Sequence, residues 1–276
     1  MTPLEAVSGV ARELDEAGVP SPRVDAEHLV AHVTGLSRTE LYSRDKKVEG
    51  QQLLRLRSLV DRRRAREPLA YVLGEWGFRR LTLEVDRRVL VPRPETEVVV
   101  ERCLALLRGL AEPLVLDVGT GSGAIALALA DEHPGVRVSA VDRSGGALAV
   151  AEANRERSGV DGRVQILQSD LFAAVSGPFD LVVANPPYVE AGELATLEPE
   201  VRLWEPREAL VDRGQTDRIA AGARRVLRPG GWLVLECAAG RADRVARLLE
   251  ELGYANVGKT PDLAGRERVV EGRFDG

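Results

Sequence analysis

The sequence predicts an α/β protein with a doubly wound, mostly parallel sheet, preceded by a small helical bundle and a hairpin linker. Two observations lead to this fold class. From about residue 95 onward, apolar runs of strand length alternate with stretches of helical periodicity, which is typical of parallel strands joined by crossover helices. Before residue 70 the apolar residues recur at helical spacing alone. We therefore divide the chain into residues 1–70, a linker at 71–94 and a larger domain at 95–276.

The N-terminal region is predicted to hold four helices, because capping residues, prolines and glycines mark their ends. The first helix is bounded by Thr2 and Gly18, and the second by Ser21 and Gly35. The other two are a short helix that opens on a capping box at Ser37–Glu40 and a longer one at Gln51–Arg66.

The linker is predicted to form a hairpin and then a stiff entry into a helix. Residues 77–85 alternate between apolar and polar side chains around a turn. Pro92-Arg93-Pro94 then restricts the backbone before a helix that begins near Glu95.

The larger domain has the pattern of a seven-stranded sheet. Its strands are predicted at 114–118, 136–141, 163–168, 179–184, 231–236, 254–260 and 266–273, the last two antiparallel. Its helices are predicted at 95–110, 123–132, 145–157, 215–227 and 240–252. Ligands of such sheets bind beyond the carboxyl ends of the strands.

A glycine-rich turn follows the first strand. It runs from Asp117 through Gly119, Thr120, Gly121 and Ser122 to Gly123, and a helix begins at once. Asp142 stands 23 residues after Gly119, at the end of the second strand, where a carboxylate can accept hydrogen bonds from ribose hydroxyls. The spacing Gly-x-Gly-x-Gly differs from the Gly-x-Gly-x-x-Gly of dinucleotide-binding proteins.

The fourth strand ends in Asn185-Pro186-Pro187-Tyr188. Two prolines remove two backbone donors and stop the ladder, so the carbonyls of Asn185 and Pro186 are left as acceptors beside the Asn185 side-chain oxygen. With Tyr188 as a flat wall, this set suits a planar group that carries an NH2. The alternative is a turn that merely ends a strand. The glycine motif in the same unit favours the functional interpretation.

The glycine turn is similar to the first motif of class I S-adenosylmethionine (AdoMet) methyltransferases. Asp170-Leu171, after the third strand, resembles their adenine-contacting segment. Asp170 would then accept from the adenine amino group and Leu171 would lie on the ring, although some members have an aromatic residue there. A helix-capping role is the alternative for Asp170.

An Asn-Pro-Pro-Tyr segment in this position marks methyltransferases that act on nitrogen in DNA adenine, rRNA guanine or protein glutamine. Residues 67–78 and the string Pro92-Arg-Pro-Glu-Thr-Glu97 resemble one branch, the release-factor glutamine N5-methyltransferases of the HemK/PrmC family. The similarity runs from about residue 5 to 273. It implies a Rossmann-like methyltransferase fold, AdoMet as cofactor without a metal, and the glutamine of the Gly-Gly-Gln loop of class I peptide release factors as substrate.

The resemblance also implies that residues 1–70 bind the release factor. It further implies roles for individual residues. The implied catalytic residues are Asn185, Pro186 and Tyr188. The implied substrate contacts are Asn185, Pro186, Pro187, Tyr188 and Arg93. The implied cofactor contacts are Asp117, Gly119, Thr120, Gly121, Ser122, Gly123, Asp142, Asp170, Leu171 and Asn185.

Composition restricts the remaining classes. The net charge is −5, whereas a DNA or rRNA methylase usually has a basic face. Basic residues do cluster at 55–66, which predicts either a solvated helix face or a docking surface for an acidic partner. His28 and His32 are four residues apart, a spacing that without a nearby acid motif is mostly structural.

A reduced, cytoplasmic protein is expected, because Cys103 and Cys237 are far apart and lack metal spacing. No apolar run is long enough for a membrane span, and the first residues lack the pattern of a signal peptide. Three alternatives stay open: a glutamine methylase of a ribosomal protein, an rRNA or DNA amino methylase, and a non-catalytic AdoMet- or dinucleotide-binding module.

Overall fold

The N-terminal helical periodicity is realised as a helical unit that comprises Met1–Glu75 and a later segment, Leu197–Trp204. The computed structural model describes residues 1–43, 47–160 and 162–276. The helices of this unit are α1 (Pro3–Glu16), α2 (Pro22–Thr34), α3 (Gln51–Arg64), α4 (Leu69–Leu73) and, from the later segment, α8 (Pro199–Trp204). Sequence periodicity did not predict α4 or α8, because helices of five or six residues are too short to show a repeat.

Local signals explain where these helices begin and end. Thr2 and Glu5 form the reciprocal bonds of a capping box at the start of α1, and Gly35 closes α2 with a left-handed φ of +69°. Ser37 and Glu40 make similar bonds, yet only a 3-10 turn, Glu40–Tyr42, follows. Since Leu41 is the one buried residue of that turn, no apolar face supports a longer helix there.

The basic stretch at 55–66 is largely paired with acids of its own unit. Arg63 is only 4% exposed, and its guanidinium lies 2.7 Å from Asp25 and 2.8 Å from Glu200. Arg66 donates twice to Glu200, at 2.7 Å each. These contacts favour a structural role for the stretch over a docking surface for an acidic partner.

The histidine pair on α2 is also accounted for by local contacts. The Nε2 atom of His32 lies 2.8 Å from the Arg55 guanidinium, which can only donate. Burial lowers the pKa of both His28 and His32. In the part of the chain that the structure describes, no group of three or more His, Cys, Asp or Glu residues is arranged to hold a metal ion.

The second unit comprises Trp76–Thr196 and Glu205–Gly276 and carries the predicted seven-stranded sheet. Its strands are β1 (Glu75–Phe78) and β2 (Leu81–Glu84) of the hairpin, then β3 (Leu114–Val118), β4 (Arg137–Asp142), β5 (Val164–Gln168), β6 (Phe179–Ala184), β7 (Leu227–Glu236), β8 (Ala255–Pro261) and β9 (Glu267–Phe274). Its helices are α5 (Pro94–Leu106), α6 (Ala124–Glu132), α7 (Gly145–Ser158), α9 (Arg207–Leu210), α10 (Gln215–Ala223) and α11 (Ala242–Glu251).

The sheet order is β5-β4-β3-β6-β7-β9-β8, with β9 antiparallel to both neighbours and the other pairs parallel. The doubly wound, mostly parallel sheet is thus confirmed. The chain runs outward from β3 to β5 and then returns to place β6 beside β3. That reversal puts the ends of β3 and β6 side by side, where ligands of doubly wound sheets bind.

Alternate residues of the central strands pack into two separate cores. Val115, Leu181 and Val183 belong to the core under α5 and α6, whereas Leu116 and Val182 belong to the core under α10 and α11. This period of two is what a sheet with helices on both faces requires.

Three boundaries differ from the prediction by four residues. α5 ends at Leu106 rather than at 110. β7 begins at Leu227 rather than at 231, because Leu227 already pairs with Phe179 before a register shift; α10 therefore ends at Ala223 rather than at 227. The segment between residues 189 and 214 had no predicted elements. It contains a 3-10 turn, α8 and α9, and it is closed at its base by a bridge between Val189 and Val211. None of the helices among the described residues is long and apolar enough to cross a membrane.

Candidate active site

A glycine-rich turn joins β3 to α6 and lines a cleft at the carboxyl end of the sheet. Gly119, Gly121 and Gly123 have φ angles of +78°, +56° and +84°, which glycine adopts without strain. The Gly119 N–H donates to the carbonyl of Val141 at 2.8 Å and so ties the turn to β4. A Cβ atom at Gly123 would lie 3.0 Å from Leu127 Cδ1. The turn therefore needs glycine both for its angles and for close packing on α6.

Asp142 ends β4 beside this turn. Its Oδ2 accepts from the Gly121 N–H at 3.0 Å, and its Oδ1 accepts from the Ser144 N–H at 2.9 Å. The carboxylate is half-buried and lines the cleft. Each oxygen has a further lone pair, so the group can still accept from a ligand hydroxyl.

Asp117 lies beneath the turn and is 1% exposed. Its Oδ2 accepts from the Thr120 hydroxyl at 2.6 Å, whereas its Oδ1 has no hydrogen-bond partner among the described residues. Burial raises the pKa of this carboxyl to about 7, as expected for an acid removed from water. The predicted cofactor contact is thus a buried acceptor with unused capacity, behind the cleft wall rather than on it.

The segment after β5 also reaches the cleft through Asp170 and Leu171. Leu171 has a φ of +52°, which is uncommon for any residue with a side chain. Residues 171–174 form a turn rather than a helix, and the Ser169 hydroxyl oxygen accepts from the Ala174 N–H at 3.0 Å within it. The Asp170 carboxylate is exposed and lies 3.5 Å from the Arg218 guanidinium. Its contacts therefore do not support the capping alternative.

Asn185 follows β6 directly, and a short series of hydrogen bonds holds its side chain. Its Nδ2 donates to Thr96 Oγ1 at 3.2 Å, and the Thr96 hydroxyl donates to Glu236 Oε2 at 2.7 Å. Glu236 is the last residue of β7, the strand paired with β6. Because the Asn185 nitrogen faces Thr96, its Oδ1 is left for the cleft that the residue lines.

The two prolines after Asn185 leave carbonyl oxygens without backbone donors. Among the described residues, no backbone N–H donates to the carbonyls of Asn185 and Pro186. Pro186 and Pro187 line the cleft, but Tyr188 is not among the lining residues. Burial raises the pKa of Tyr188 to about 12, so its hydroxyl is protonated at neutral pH. The carbonyls of Asn185 and Pro186 therefore lie beside the Asn185 side chain after β6; their use as substrate acceptors and the wall formed by Tyr188 stay predictions.

The string at residues 93–97 contacts four different parts of the second unit. Its contacts are Arg93 with Glu205 at 2.6 Å, Glu95 with Arg266 at 3.3 Å, Thr96 with Glu236 at 2.7 Å, and Glu97 with the Arg79 N–H at 3.0 Å. Glu205 is buried, and burial raises its pKa. This string therefore fixes the hairpin, β7, the start of β9 and the segment before α9 around the cleft.

Sequence reasoning missed three residues that support the site. In the sequence, Thr96 lies within the string at residues 92–97 and Glu236 ends a predicted strand, and neither position indicates a role at the site. Asn154 of α7, which is 1% exposed, donates to the carbonyls of Ser122 at 2.9 Å and Glu84 at 3.0 Å. Asn154 stands among charged residues in the sequence, so nothing marks it as buried, and its partners are distant in sequence.

Comparisons with known proteins agree with this geometry. A family model described as the PrmC N-terminal domain matches residues 5–74, and one described as the methyltransferase small domain matches residues 101–257. A release factor glutamine methyltransferase of Geobacter sulfurreducens is 42% identical over 268 residues, covering 95% of this chain and 93% of the relative. One from Deinococcus radiodurans is 44% identical over 271 residues, covering 95% of each. A T. thermophilus 16S rRNA methyltransferase, solved with AdoMet and guanosine, aligns with a TM-score of 0.53 at 20% identity, covering 72% of this chain and 49% of that one; it shares the fold alone.

Proposed function

This chain belongs to the release factor glutamine methyltransferase family, and we propose that it methylates the side-chain amide nitrogen, N5, of the glutamine in the Gly-Gly-Gln loop of class I peptide release factors. The methyl donor is AdoMet, and S-adenosylhomocysteine is the product. The observation that carries the proposal is the amide of Asn185. Its nitrogen is engaged by Thr96 at 3.2 Å, which leaves its oxygen for an incoming NH2 group. Release factors act on ribosomes, so the proposal also places the protein in the cytoplasm.

The residues around the glycine turn fit the cofactor. Gly119 and Gly121 have positive φ angles, and no atom of the described residues lies within 4 Å of a Cβ built at either position, so the turn offers bare backbone to a ligand. Asp142 would hold the ribose hydroxyls, Asp170 and Leu171 would contact the adenine, and the unused oxygen of Asp117 would accept from the amino-acid end. When bound, AdoMet supplies a methyl group on a positively charged sulfonium, which is a strong electrophile.

The residues after β6 would orient the substrate amide. An amide nitrogen is a poor nucleophile because its lone pair is delocalised into the carbonyl. The Asn185 Oδ1 and the Pro186 carbonyl would each accept one hydrogen of the NH2 group, which fixes its direction. These acceptors also favour the positive charge that develops on nitrogen. Alignment of two reactants can contribute roughly 7–11 kcal/mol, so positioning is the main task, and the extra proton can leave to water.

Two further residues would complete substrate binding. Tyr188 would pack against the plane of the glutamine amide. Arg93, whose guanidinium is held at 2.6 Å by Glu205, would contact the loop at the mouth of the cleft. We assign recognition of the body of the release factor to the N-terminal helical domain, residues 1–70, with residues 71–94 as the linker and residues 95–276 as the catalytic domain.

Methyl transfer measured side by side tests the proposed substrate. Purified enzyme with radiolabelled AdoMet is offered a class I release factor, ribosomal proteins and rRNA, and the methylated residue is located by mass spectrometry. We expect label in the release factor, on the glutamine of the Gly-Gly-Gln loop. Preferential labelling of a ribosomal protein or of rRNA would contradict the proposed substrate, and binding of AdoMet without transfer to any of them would indicate a binding module.

A peptide that carries only the Gly-Gly-Gln loop tests the role of the N-terminal domain. The peptide lacks the distant contacts and must be ordered on binding, so its kcat/KM should be at least about tenfold below that of the folded release factor. Equal kcat/KM for peptide and protein would contradict recognition outside the loop.

A further inference from the structure

Glu236 lies at the far end of the hydrogen-bond series that begins at Asn185. Its side chain is 1% exposed, and its Oε2 accepts from the Thr96 hydroxyl at 2.7 Å. Its Oε1 has no hydrogen-bond partner among the described residues. Thr96 is itself 4% exposed, so water does not compete freely for its hydroxyl. The side-chain amide of Asn185 is thus held by two buried residues, Thr96 and Glu236.

The single proton of Thr96 determines which way Asn185 turns. When that proton is donated to ionised Glu236, Thr96 offers only lone pairs to its other neighbour. Asn185 must then present its NH2 group to Thr96 and its oxygen to the cleft. If Glu236 is protonated, it can donate to Thr96, and Thr96 can donate to the Asn185 oxygen. Asn185 would then present an NH2 group to the cleft, which suits a carboxylate rather than an amide.

We propose that Glu236, acting through Thr96, is a positioning residue that sets the polarity of the Asn185 amide and so selects an amide over a carboxylate as the methyl acceptor. The inference rests on the proposed function, because it concerns the substrate group that Asn185 would meet. It adds two residues, neither of which touches the substrate, to the specificity of the site.

Charged and titratable neighbours from three other elements act on Glu236. Burial raises its pKa to about 7, and Glu95 of α5 adds to this. The Thr96 hydroxyl, Arg268 of β9 and the Asn185 amide act in the opposite direction. Burial and, to a lesser extent, the negative charge of Glu236 raise the pKa of Tyr188, which lies on the segment after β6. Both protonation states are therefore accessible near neutral pH, and only the ionised one gives the productive polarity.

The test uses the full-length enzyme with three single substitutions and one double variant. Glu236→Gln removes the charge and Thr96→Val removes the hydroxyl at nearly constant shape. Each should lower kcat for release factor by at least about tenfold, since a hydrogen bond to a charged group contributes roughly 1.5–3 kcal/mol. The double variant should be no worse than the poorer single one, because the two residues act as one unit. Thr96→Ser, which keeps the hydroxyl, should retain most of the activity.

Matched substitutions separate this role from a loss of packing. Thr34→Val removes another buried hydroxyl, and Glu271→Gln neutralises another buried acid; both should leave kcat within about twofold of wild type. The AdoMet dissociation constant of every variant, measured by calorimetry, reports whether the protein is folded. If Thr96→Val does not fold, Glu236→Gln still tests the inference through substrate discrimination and the pH dependence of kcat.

Substrate discrimination is the first measurement that separates a positioning role from a purely structural one. Loss of packing alone would not change the preference for an amide over a carboxylate. A release factor with Glu in place of the target Gln should inhibit the wild-type enzyme weakly at pH 8. Glu236→Gln should bind this variant release factor more tightly relative to the native one, by at least about tenfold. The second readout is pH: wild-type kcat should fall as the pH drops through about 7, while kcat of Glu236→Gln should stay flat.

Native kcat and native discrimination in Glu236→Gln or in folded Thr96→Val would overturn the inference. So would an unchanged pH profile in Glu236→Gln. These results are distinguishable from failure of the proposed function, because Asn185→Ala then serves as the reference. If Asn185→Ala loses activity while Glu236→Gln and Thr96→Val keep native kcat and native discrimination, only the inference fails. If Asn185→Ala is itself native, the proposed use of Asn185 fails.

Discussion

Buried carboxylates have different hydrogen-bond partners in the helical unit and around the cleft of the sheet unit. In the helical unit Asp25 lies 2.7 Å from Arg63, and Glu67 accepts from Arg62 at 2.5 and 2.8 Å. Around the cleft, by contrast, one oxygen of each of three buried acids has no hydrogen-bond partner among the described residues. These acids are Asp117, Glu205 and Glu236.

The difference separates carboxylates whose oxygens are bound by cations of the fold from carboxyls that keep an oxygen without a partner among the described residues. An unpaired oxygen in a buried carboxyl costs free energy, and it persists where a ligand or a mechanism needs it. Buried acids of the same sheet unit away from the cleft are paired: Asp180 with Arg228 and Glu271 with Arg102. Around the cleft, Glu205 pairs one oxygen with Arg93, whereas Asp117 and Glu236 accept from the hydroxyls of Thr120 and Thr96.

The largest effect is expected from Arg63→Ala. Its removal leaves buried Asp25 without its cation, whereas Glu200 keeps Arg66, so the free energy of unfolding should fall by about 3–5 kcal/mol. Arg57→Ala is the matched control, because its pair with Glu13 is exposed and should change stability by less than about 0.5 kcal/mol. Denaturant unfolding followed by circular dichroism measures both. A loss below about 1 kcal/mol for Arg63→Ala would break the comparison.

Two Asp→Asn substitutions should act in opposite directions. The pKa of Asp117 is about 7 in the folded protein and about 3.9 in an unfolded chain, so folding takes up a proton between these values. Stability conferred by this group therefore falls as the pH rises from about 4 to 7, and Asp117→Asn removes that loss. Relative to wild type, Asp117→Asn should gain thermal stability at pH 8 compared with pH 5, while Asp25→Asn should lose stability at neutral pH. Stability changes of the same sign in both variants would contradict the contrast between Asp117 and Asp25.

Asp142→Ala should weaken AdoMet binding by at least about tenfold, because hydrogen bonds to a charged acceptor contribute roughly 1.5–3 kcal/mol each. The N–H groups of Gly121 and Ser144 would also lose their acceptor. Asp131→Ala, which breaks a surface pair with Arg80, is the control and should leave affinity unchanged. Calorimetric titration with AdoMet decides, and an unchanged affinity in Asp142→Ala would remove this residue from the cofactor site.

The smallest effect concerns a local signal at the start of α1. Thr2→Ala removes one half of the capping box with Glu5 and should cost about 1 kcal/mol of unfolding free energy, with no change in AdoMet affinity. Thr2→Ser keeps the oxygen and should be close to neutral. A changed AdoMet affinity in Thr2→Ala would contradict a purely local role for this cap.

Features that depend on local chemistry were predictable from the sequence. Gly119 and Asn185 were both placed at carboxyl ends of strands, and pairing of β3 with β6 brings those ends together. The helix ends at Thr2 and Gly35 follow from capping rules that involve only a few residues.

Features that depend on contacts between distant residues were not predictable. Thr96 and Glu236 are 140 residues apart, and nothing in either neighbourhood specifies the other. The short helices α8 and α9 were missed because their apolar residues are too few to show a period. Asp117 was predicted to contact the cofactor, but its burial behind the turn depends on how α6 packs.

The most direct test of the account is the rate at which Asn185→Ala transfers a methyl group to folded release factor. Single-turnover rates are measured at saturating AdoMet, with AdoMet affinity determined in parallel. Loss of a preorganised polar group at a reacting centre typically lowers the rate by a factor of about 10²–10³, so we expect a loss of at least about a hundredfold. Asn185→Asp should retain low but measurable activity, because it keeps an acceptor oxygen. A near-native rate for Asn185→Ala, with AdoMet affinity preserved, would contradict the central claim that this amide orients the substrate.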